Sequence, residues 1–218
     1  GEATTATNSG YKGSNALASY FARMMYTYAG KYMLTATFRA DGSSNFGPNK
    51  RWGYFPSVSV AWRISNENFM QNLQFVSNLK LRLGYGEVGN QAIPGYAYGS
   101  ALRTAPSGIG NGFLLTNLPN PDVQWEATID KNLGVDLALF QNRIDMTLEI
   151  YKRNTDNMLL RMPLPNYMGG GSWMGIEAPF VNLGKMENKG WELSLTTHNL
   201  TGRFSWITTL SLSHNANK

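Results

Sequence analysis

Apolar and polar residues alternate one by one along several stretches of this chain. Residues 32–39, 79–85 and 144–153 each switch between an apolar side chain and a small, polar or charged one. A period of two places the apolar side chains on one side of a β-strand and the polar ones on the other. No stretch shows a convincing amphipathic helix of useful length. The pattern therefore predicts an all-β chain whose strands have one apolar and one wet face.

About eight strands are predicted, and the connections between them alternate in size. The predicted strands cover 17–28, 32–40, 55–64, 79–86, 123–139, 143–160, 186–198 and 203–214. The short connections contain Gly or Asn, which supply the positive φ of tight hairpins, and lie at 29–31, 141–142 and 199–202. Long connections are expected at 41–54, 87–122 and 161–185. One end of the sheet therefore has mostly short connections, and the other end has long ones.

The apolar strand faces must press against either a second protein layer or lipid. Alternation alone does not decide, because a soluble sandwich also has one dry face per strand. Strand length favours lipid: each arm of the predicted hairpin 123–160 has about 17 residues, or over 50 Å at about 3.3 Å per residue. Ordinary strands average about five or six residues. Arms this long suit a tilted barrel wall that projects beyond a membrane.

Aromatic residues fall near both ends of the predicted strands. Those near the short connections are Tyr26, Tyr28, Tyr32, Trp62, Phe140, Phe204 and Trp206. Those near the long connections are Tyr54, Phe55, Tyr85, Trp125 and Trp191. Aliphatic residues occupy the apolar face between them. Two aromatic girdles around an aliphatic band are typical of membrane barrels, although single aromatic residues can equally cap a soluble core.

The other face of the strands carries charges of both signs. We predict that its lumen-facing polar residues include Arg39, Arg63, Arg82, Glu126, Asp130, Asp136 and Glu149. Mixed charges suit a hydrated lumen lined with ion pairs, and they also suit any solvated face. Lys131 breaks the pattern on the apolar side, where its ammonium group can reach water only near an interface.

Composition narrows the class of protein further. Hydrophobic residues make up 42% and charged residues 15% of the 218 residues, against about 25% charged in soluble domains. No cysteine is present, which excludes disulfides and thiolate metal sites. The net charge of +5 is spread without a basic block, so nucleic-acid binding is not expected. No apolar run approaches the roughly 18 residues of a transmembrane helix.

The sequence offers no set of residues for catalysis or for a cofactor. The segment Gly84–Gly89 has the spacing G-x-G-x-x-G, but Pro94 and Gly95 preclude the helix that a dinucleotide site requires. His198 and His214 are isolated and far apart, and no second ligand stands at metal-binding spacing. We therefore expect no enzyme, no metal and no cofactor.

Five sequence blocks carry a family resemblance. They are "RADGSSNFGPNKRWGYFPSVSVAWRIS", "LKLRLGYGEVGNQ", "NPDVQWEATIDKNLGVDLALF", "RIDMTLEIYKRNTDNMLL" and "NLGKMENKGWELSL". In this order they closely resemble the barrel of SusC/RagA-like TonB-dependent outer-membrane transporters of Bacteroidota. The resemblance covers most of residues 17–215 and is poor at 87–122 and 161–180, as expected for variable outer loops.

The resemblance implies an antiparallel transmembrane β-barrel of about 22 strands around a plug. Residues 1–218 would form a partial TonB-dependent receptor barrel domain of about eight strands, without the plug and the terminal strands. We therefore expect an internal part of a larger protein. Such a part would not fold alone, because an open sheet leaves two long unpaired edges.

The resemblance also implies nutrient import by a multi-pass β-barrel that is embedded in the lipid of the cell outer membrane. A SusD-like surface lipoprotein would cover the barrel, a glycan or peptide ligand would be captured between them, and TonB would act through the absent N-terminal part. Candidate contacts to ligand or lipoprotein are the aromatic residues of the long connections, Trp52, Tyr96, Tyr98, Tyr167 and Trp173, with Phe46 and Phe113 beside them.

Two rival classes remain open on the sequence alone. A soluble, secreted β-sandwich could bind carbohydrate through exposed aromatic residues. An envelope β-hydrolase is a third class, for which no nucleophile constellation can be assembled.

Overall fold

The computed structural model describes residues 14–165, 167 and 175–218, with the backbone alone at 106 and 107. The strands are β1 Leu17–Tyr28, β2 Tyr32–Ser43, β3 Trp52–Arg63, β4 Val76–Asn90, β5 Leu102–Ser107, β6 Gly110–Leu115, β7 Glu126–Leu139, β8 Ile144–Asp156, β9 Leu159–Arg161, β10 Phe180–Asn182, β11 Lys185–Thr201 and β12 Ser205–Asn217. Two single-turn 3₁₀ helices, Ile64–Asn66 and Asn68–Met70, connect β3 to β4. Across these residues no helix is long and apolar enough to cross a membrane.

Eight strands form one antiparallel sheet in the order β1-β2-β3-β4-β7-β8-β11-β12. Each of the eight predicted strands is confirmed. The remaining four strands form two small hairpins, β5–β6 and β9–β10. β9 overlaps the end of the predicted strand 143–160, because β8 ends at Asp156 and the chain then pairs with β10 instead. β5, β6 and β10 lie inside connections that were expected to be loops. That expectation was wrong because the β5–β6 segment is rich in Gly and Asn, which masks a short alternating pattern.

The short turns force non-glycine residues into left-handed backbone conformations. Phe140, Gln141 and Asn142 have φ of 52°, 57° and 63° between β7 and β8, and Ala29 has 51° beside Gly30. Residues other than Gly, Asn and Asp seldom adopt this backbone conformation. Tight reversal between two long strands therefore outweighs local preference at Ala29 and Phe140.

Cross-strand register assigns each residue of the large sheet to one of two faces. One ladder row on the first face runs through Tyr26, Leu34, Val60, Leu83, Leu133, Ile150, Trp191 and His214. We call this side the apolar face and the opposite side the polar face. In the described residues no second sheet covers the apolar face, and Val58 and Val60 keep 40% and 44% of their surface exposed. A soluble β-sandwich is therefore not favoured.

The buried hydrophobic cluster of the described chain lies at the long-loop end. It comprises Phe46, Phe55, Ile93, Val123 and Trp125, which we call the loop core. Phe55 is the strand residue in this cluster, and its register partner is Arg39 of the polar face. The long connections therefore fold over the polar face. This packing also explains why β7 begins at Glu126 rather than at 123 as predicted.

Candidate functional site

The aromatic residues of the apolar face form two belts near its two ends. At the short-turn end Tyr28, Tyr32 and Trp62 stack, with ring centroids 6.5 and 6.4 Å apart. At the long-loop end Tyr20 stacks on Trp52 at 6.0 Å. Tyr54, Tyr85 and Trp191 also occupy apolar-face positions near that end.

Two of the aromatic residues predicted for the long-loop girdle do not belong to it. Phe55 lies on the polar face, and Trp125 precedes β7 and donates its indole N–H to the carbonyl of Arg51 at 2.8 Å. Both are buried in the loop core. Position near a strand end therefore identified the right region but not the right face.

The two belts have the separation that a membrane requires. Trp52 and Trp62 lie ten residues apart on the same face of β3. That separation is about 33 Å along the strand at about 3.3 Å per residue. A tilt of about 40° reduces it to about 25 Å, the height of the apolar band of membrane barrels.

Both belts also shift in the same direction across the sheet. Trp62 shares a ladder row with Leu212, yet the aromatic residue at that end of β12 is Trp206, six residues nearer the turn. Trp191 shares a row with Val60, eight residues from Trp52. With strands about 4.8 Å apart, these shifts correspond to tilts of about 40° and about 55°. Such a shift from strand to strand is expected when the flat surface of a membrane crosses strands that are tilted relative to it.

A carboxylate fixes the aromatic belt at the short-turn end. Glu67 accepts hydrogen bonds from Lys31 Nζ at 2.9 Å, from Tyr32 Oη at 2.7 Å and from Trp62 Nε1 at 3.0 Å. These donors, the lysine first, lower the pKa of Glu67 to about 2. The connection between β3 and β4 is thereby tied to the β1–β2 turn.

On the polar face, three of the predicted residues form one ion network. Arg82 donates from Nε and Nη2 to both oxygens of Asp136, at 2.9 and 3.0 Å, and from Nη2 to Glu149 at 2.7 Å. Lys80 lies 4.0 Å from the same aspartate. A Cβ on Gly134 would lie 2.9 Å from the guanidinium carbon of Arg82, so glycine leaves room for this fork.

The other four predicted residues lie on the same face but apart from this network. Asp130 pairs with Arg153 at 2.8 Å, and Arg39 pairs with Asp41 at 2.7 Å. Glu126 accepts from the backbone N–H of Leu159 at 2.9 Å, which ties β7 to the second small hairpin. Arg63 lies near the short-turn end, where its Nε is buried without a hydrogen-bond partner among the described residues.

A cavity of about 530 Å³ opens among the long connections, and we call it the loop cavity. Tyr96 and Tyr98 line one side, with ring centroids 6.3 Å apart. Arg161 and Phe180 line the other side, with the guanidinium 4.9 Å from the ring centroid. Arg161 also forms an ion pair with Glu177 at 3.0 Å. The cavity thus combines flat rings with one charge of each sign.

Asparagine side chains hold the walls of the loop cavity. Asn117 accepts from the N–H of Ala101 and donates to the carbonyl of Gly99, both at 2.7 Å. Asn120 donates to the carbonyl of Phe180 at 2.7 Å. Amide side chains thus replace regular strand pairing in this part of the chain.

The predicted loop aromatic residues separate into different environments. Tyr96 and Tyr98 share the loop cavity, and Tyr167 is 87% exposed. Trp52 begins β3 and lies on the apolar face, a placement that favours a girdle over a ligand contact. Phe46 is fully buried in the loop core, which leaves its ring no open surface. Trp173 lies outside the described residues.

Several residues of this region were not found from the sequence. Arg161, Glu177 and Phe180 line the loop cavity, but they come from segments that show no strand pattern. Their pairing depends on the hairpin β9–β10, which brings Arg161 opposite Phe180. In the described part of the chain, no group of His, Asp and Glu side chains is arranged to hold a metal ion.

A family model of the TonB-dependent receptor-like β-barrel matches residues 1–217. The chain belongs to this family. Its members are outer-membrane proteins, and the all-β fold with one long antiparallel sheet is the fold expected of their barrels.

Two curated relatives show the extent of the match. TonB-dependent receptor P39 of Formosa agariphila is 39% identical over 94% of this chain, which covers 19% of that protein. TonB-dependent receptor SusC of Bacteroides thetaiotaomicron is 33% identical over 95% of this chain, which covers 21% of it. The chain thus spans about a fifth of the length of these relatives, and its resemblance to SusC/RagA-like receptors is confirmed.

Solved structures of outer-membrane receptors share the fold of this chain. The RagAB peptide importer matches with a TM-score of 0.83 in its 'closed-closed' state, at 27% identity, and 0.82 in its 'open-open' state, at 28% identity. Each match covers 93% of this chain and 22% of that one. The siderophore receptor PirA of Pseudomonas aeruginosa, at 18% identity and a TM-score of 0.60, shares the fold. This part of the barrel therefore matches both RagAB states equally well.

Proposed function

We propose that this chain is a contiguous stretch of barrel wall in a TonB-dependent receptor of the relatives' size. The chain spans about a fifth of their length, and in the described residues β1 and β12 stand at opposite edges of one sheet without pairing to each other. Strands at exposed sheet edges have unpaired backbone groups and therefore tend to pair with further strands. Neighbouring strands of the same barrel satisfy them.

The receptor imports a nutrient across the outer membrane, and the observation that carries this proposal is the uncovered apolar face. Its aromatic belts are about 25 Å apart across the band once the strand tilt is included. The opposite face is polar and holds the Arg82 ion network. Lipid on one side and water on the other match the two faces of a transport barrel.

The polar face then lines the lumen, and the loop cavity faces ligand or a covering partner. Tyr96 and Tyr98 offer flat rings for an oligosaccharide or peptide, and Arg161 and Glu177 offer charges of both signs. As the family resemblance implies, the partner is a SusD-like lipoprotein, and, as for the TonB-dependent receptor SusC, the energy arrives through TonB. Transport rather than catalysis is the role of this stretch.

Cysteine labelling tests the two-faced wall directly, because these 218 residues contain no cysteine and any cysteine elsewhere in the receptor is first replaced by serine. In the full-length receptor in intact outer membranes, Ser59→Cys should react with a water-soluble maleimide. Val58→Cys, the adjacent residue on the apolar face, should react only with a membrane-permeant, lipid-soluble reagent. Equal labelling of both sites by the water-soluble reagent would rule out lipid on the apolar face.

Uptake by cells tests the loop cavity. Cells lacking the native gene and carrying the Tyr96→Ala receptor should take up labelled oligosaccharides or peptides about tenfold more slowly at limiting concentration, as for an aromatic contact residue. Phe113→Ala is the matched control, because Phe113 is also exposed but lies outside the cavity. Uptake should disappear in cells without TonB. Equal uptake by both variants would remove the cavity from the ligand path.

A further inference from the structure

Three lysines stand side by side in one ladder row of the apolar face. Lys131 of β7 pairs with Lys152 of β8, which pairs with Lys189 of β11. We call these three residues the lysine row. With neighbouring strands about 4.8 Å apart, the row spans about 10 Å. Three adjacent ammonium groups repel one another, so the arrangement requires compensation.

The lysine row lies at the boundary of the proposed membrane band. The next row toward the short turns is Leu133, Ile150 and Trp191, which belongs to the band. Tyr85 of the long-loop belt shares the lysine row, and Lys131 Nζ lies 5.9 Å from its ring centroid. The ammonium groups therefore stand where lipid headgroups begin.

Protein groups compensate the lysine row only in part. Glu187, in the next row outward, pairs with Lys152 at 2.8 Å and lies 4.0 Å from Lys189. Glu87 and Lys218 also fall in that outer row. Together the two rows hold four lysines and two glutamates, a net charge of +2. Three of the four lysines occupy the row nearer the apolar band, whereas both glutamates and Lys218 occupy the row farther from it.

The charge is local to these strands. The apolar-face positions of β1, β2 and β3 carry no charged residue in the described chain, and at their long-loop end they are aromatic, small or proline. A general need for solubility would distribute lysines around the whole boundary. The concentration on three adjacent strands instead marks one place on the wall.

We propose that the lysine row binds the phosphate of an outer-leaflet glycolipid headgroup, a site that rests on the outer-membrane placement proposed above. Ammonium groups form charge-assisted hydrogen bonds with phosphate oxygens. Basic residues next to a bilayer add attraction for anionic lipid. Leu133 and Ile150 lie in the next row toward the short turns, where they can contact the acyl chains of the same lipid. One lipid molecule therefore contacts both the lysine row and the apolar band.

Native mass spectrometry of the full-length receptor tests the site. The detergent-solubilised receptor is titrated with bis-phosphorylated lipid A and with the same lipid after phosphatase treatment. The native receptor should bind the phosphorylated lipid about tenfold more tightly than the dephosphorylated one. In the Lys131→Gln, Lys152→Gln, Lys189→Gln triple variant this ratio should fall at least five-fold, to about two or less. Glu187→Gln should increase the preference, because it removes a competing carboxylate.

Lys185→Gln is the matched control, because Lys185 lies on β11 and the same face but two ladder rows farther out. It should retain the native preference. A triple variant that keeps the full preference, or a control that loses as much, would overturn the lysine row as the site. Displacement of the lipid by equimolar inorganic phosphate would assign the row to soluble phosphate instead.

The cysteine pair at Val58 and Ser59 separates this failure from failure of the proposed function. If Val58→Cys is shielded by lipid while the triple variant keeps its lipid preference, the membrane placement stands and the headgroup site does not. If Val58→Cys is open to water, both proposals fail.

Discussion

The protein has two large apolar regions, and they are satisfied in opposite ways. The loop core buries Phe46 and Val123 completely against other side chains. The apolar face of the sheet is far larger and leaves residues such as Val58 and Phe38 exposed. Both regions use the same residue types. Among the residues that the structure describes, only the second lacks a protein partner, so its stability depends on the surrounding lipid.

This difference separates what holds the loops from what holds the wall. The loop core depends on close packing, with Phe46 and Phe55 5.2 and 5.4 Å from the Trp125 ring. A Cβ on Gly89 would lie 2.0 Å from the Phe55 ring, so even one added methyl group would disturb it. The wall depends on unbroken strand pairing and on apolar surface matched to a bilayer. Substitutions in one region should therefore leave the other largely intact.

The largest effect is expected in the loop core. Phe46→Ala should cost about 3–5 kcal/mol of local stability, the usual cost of deleting a buried aromatic ring. Hydrogen exchange of amides 91–98 and 120–125 in the full-length receptor should accelerate, while exchange in β7 and β8 stays slow. Phe38→Ala, on the apolar face, is the control and should leave the loops protected. Equal loop exposure in both variants would contradict the separation.

A charge placed on the apolar face should come next. Val58→Arg near the middle of the band should lower the free energy of unfolding from bilayers by about 2–4 kcal/mol. Ser59→Arg points to the polar face and should cost less than about 1 kcal/mol. Denaturant-dependent unfolding of the full-length receptor from lipid vesicles measures both. If the two arginines cost the same, the two faces do not differ in environment.

The ion network on the polar face should contribute less. Arg82→Gln leaves Asp136 and Glu149 without their strongest donor and should cost about 1–3 kcal/mol in the same unfolding assay. Arg23→Gln is the control, because Arg23 lies on the same face with a hydrogen bond to Thr37 at 3.2 Å and should be nearly neutral. A neutral Arg82→Gln would mean that water replaces the network.

The smallest effect concerns pH. Because Glu67 has its pKa lowered to about 2 from an ordinary 4.5, its contribution to stability is present above about pH 4.5 and disappears as the pH falls toward 2. Unfolding of the native receptor should become easier over that window, and Glu67→Gln should flatten this part of the profile. Tyr32→Phe removes one of the three donors and should move the transition toward higher pH. An unchanged profile in Glu67→Gln would place the acid sensitivity elsewhere.

Much of the wall could be predicted because its signal is local. Alternation around Leu81, Val135 and Leu148 identified strand, face and neighbour type together, since a one-residue shift would have placed charges in lipid. The seven predicted polar residues all fall on one face for the same reason. Phe55 and Trp125 were misplaced because their neighbours in the loop core come from distant parts of the chain.

The sequence alone determined the eight strands of the large sheet, their two faces and the family, because a period of two and a set of ordered blocks can be read one residue after another. Tertiary structure decided which residues meet across the sheet. It joined Arg82 to Asp136 and Glu149, enclosed Tyr96 and Tyr98 with Arg161, and aligned three lysines in one row. These contacts depend on register and on loop closure over long sequence separations, which no local pattern encodes.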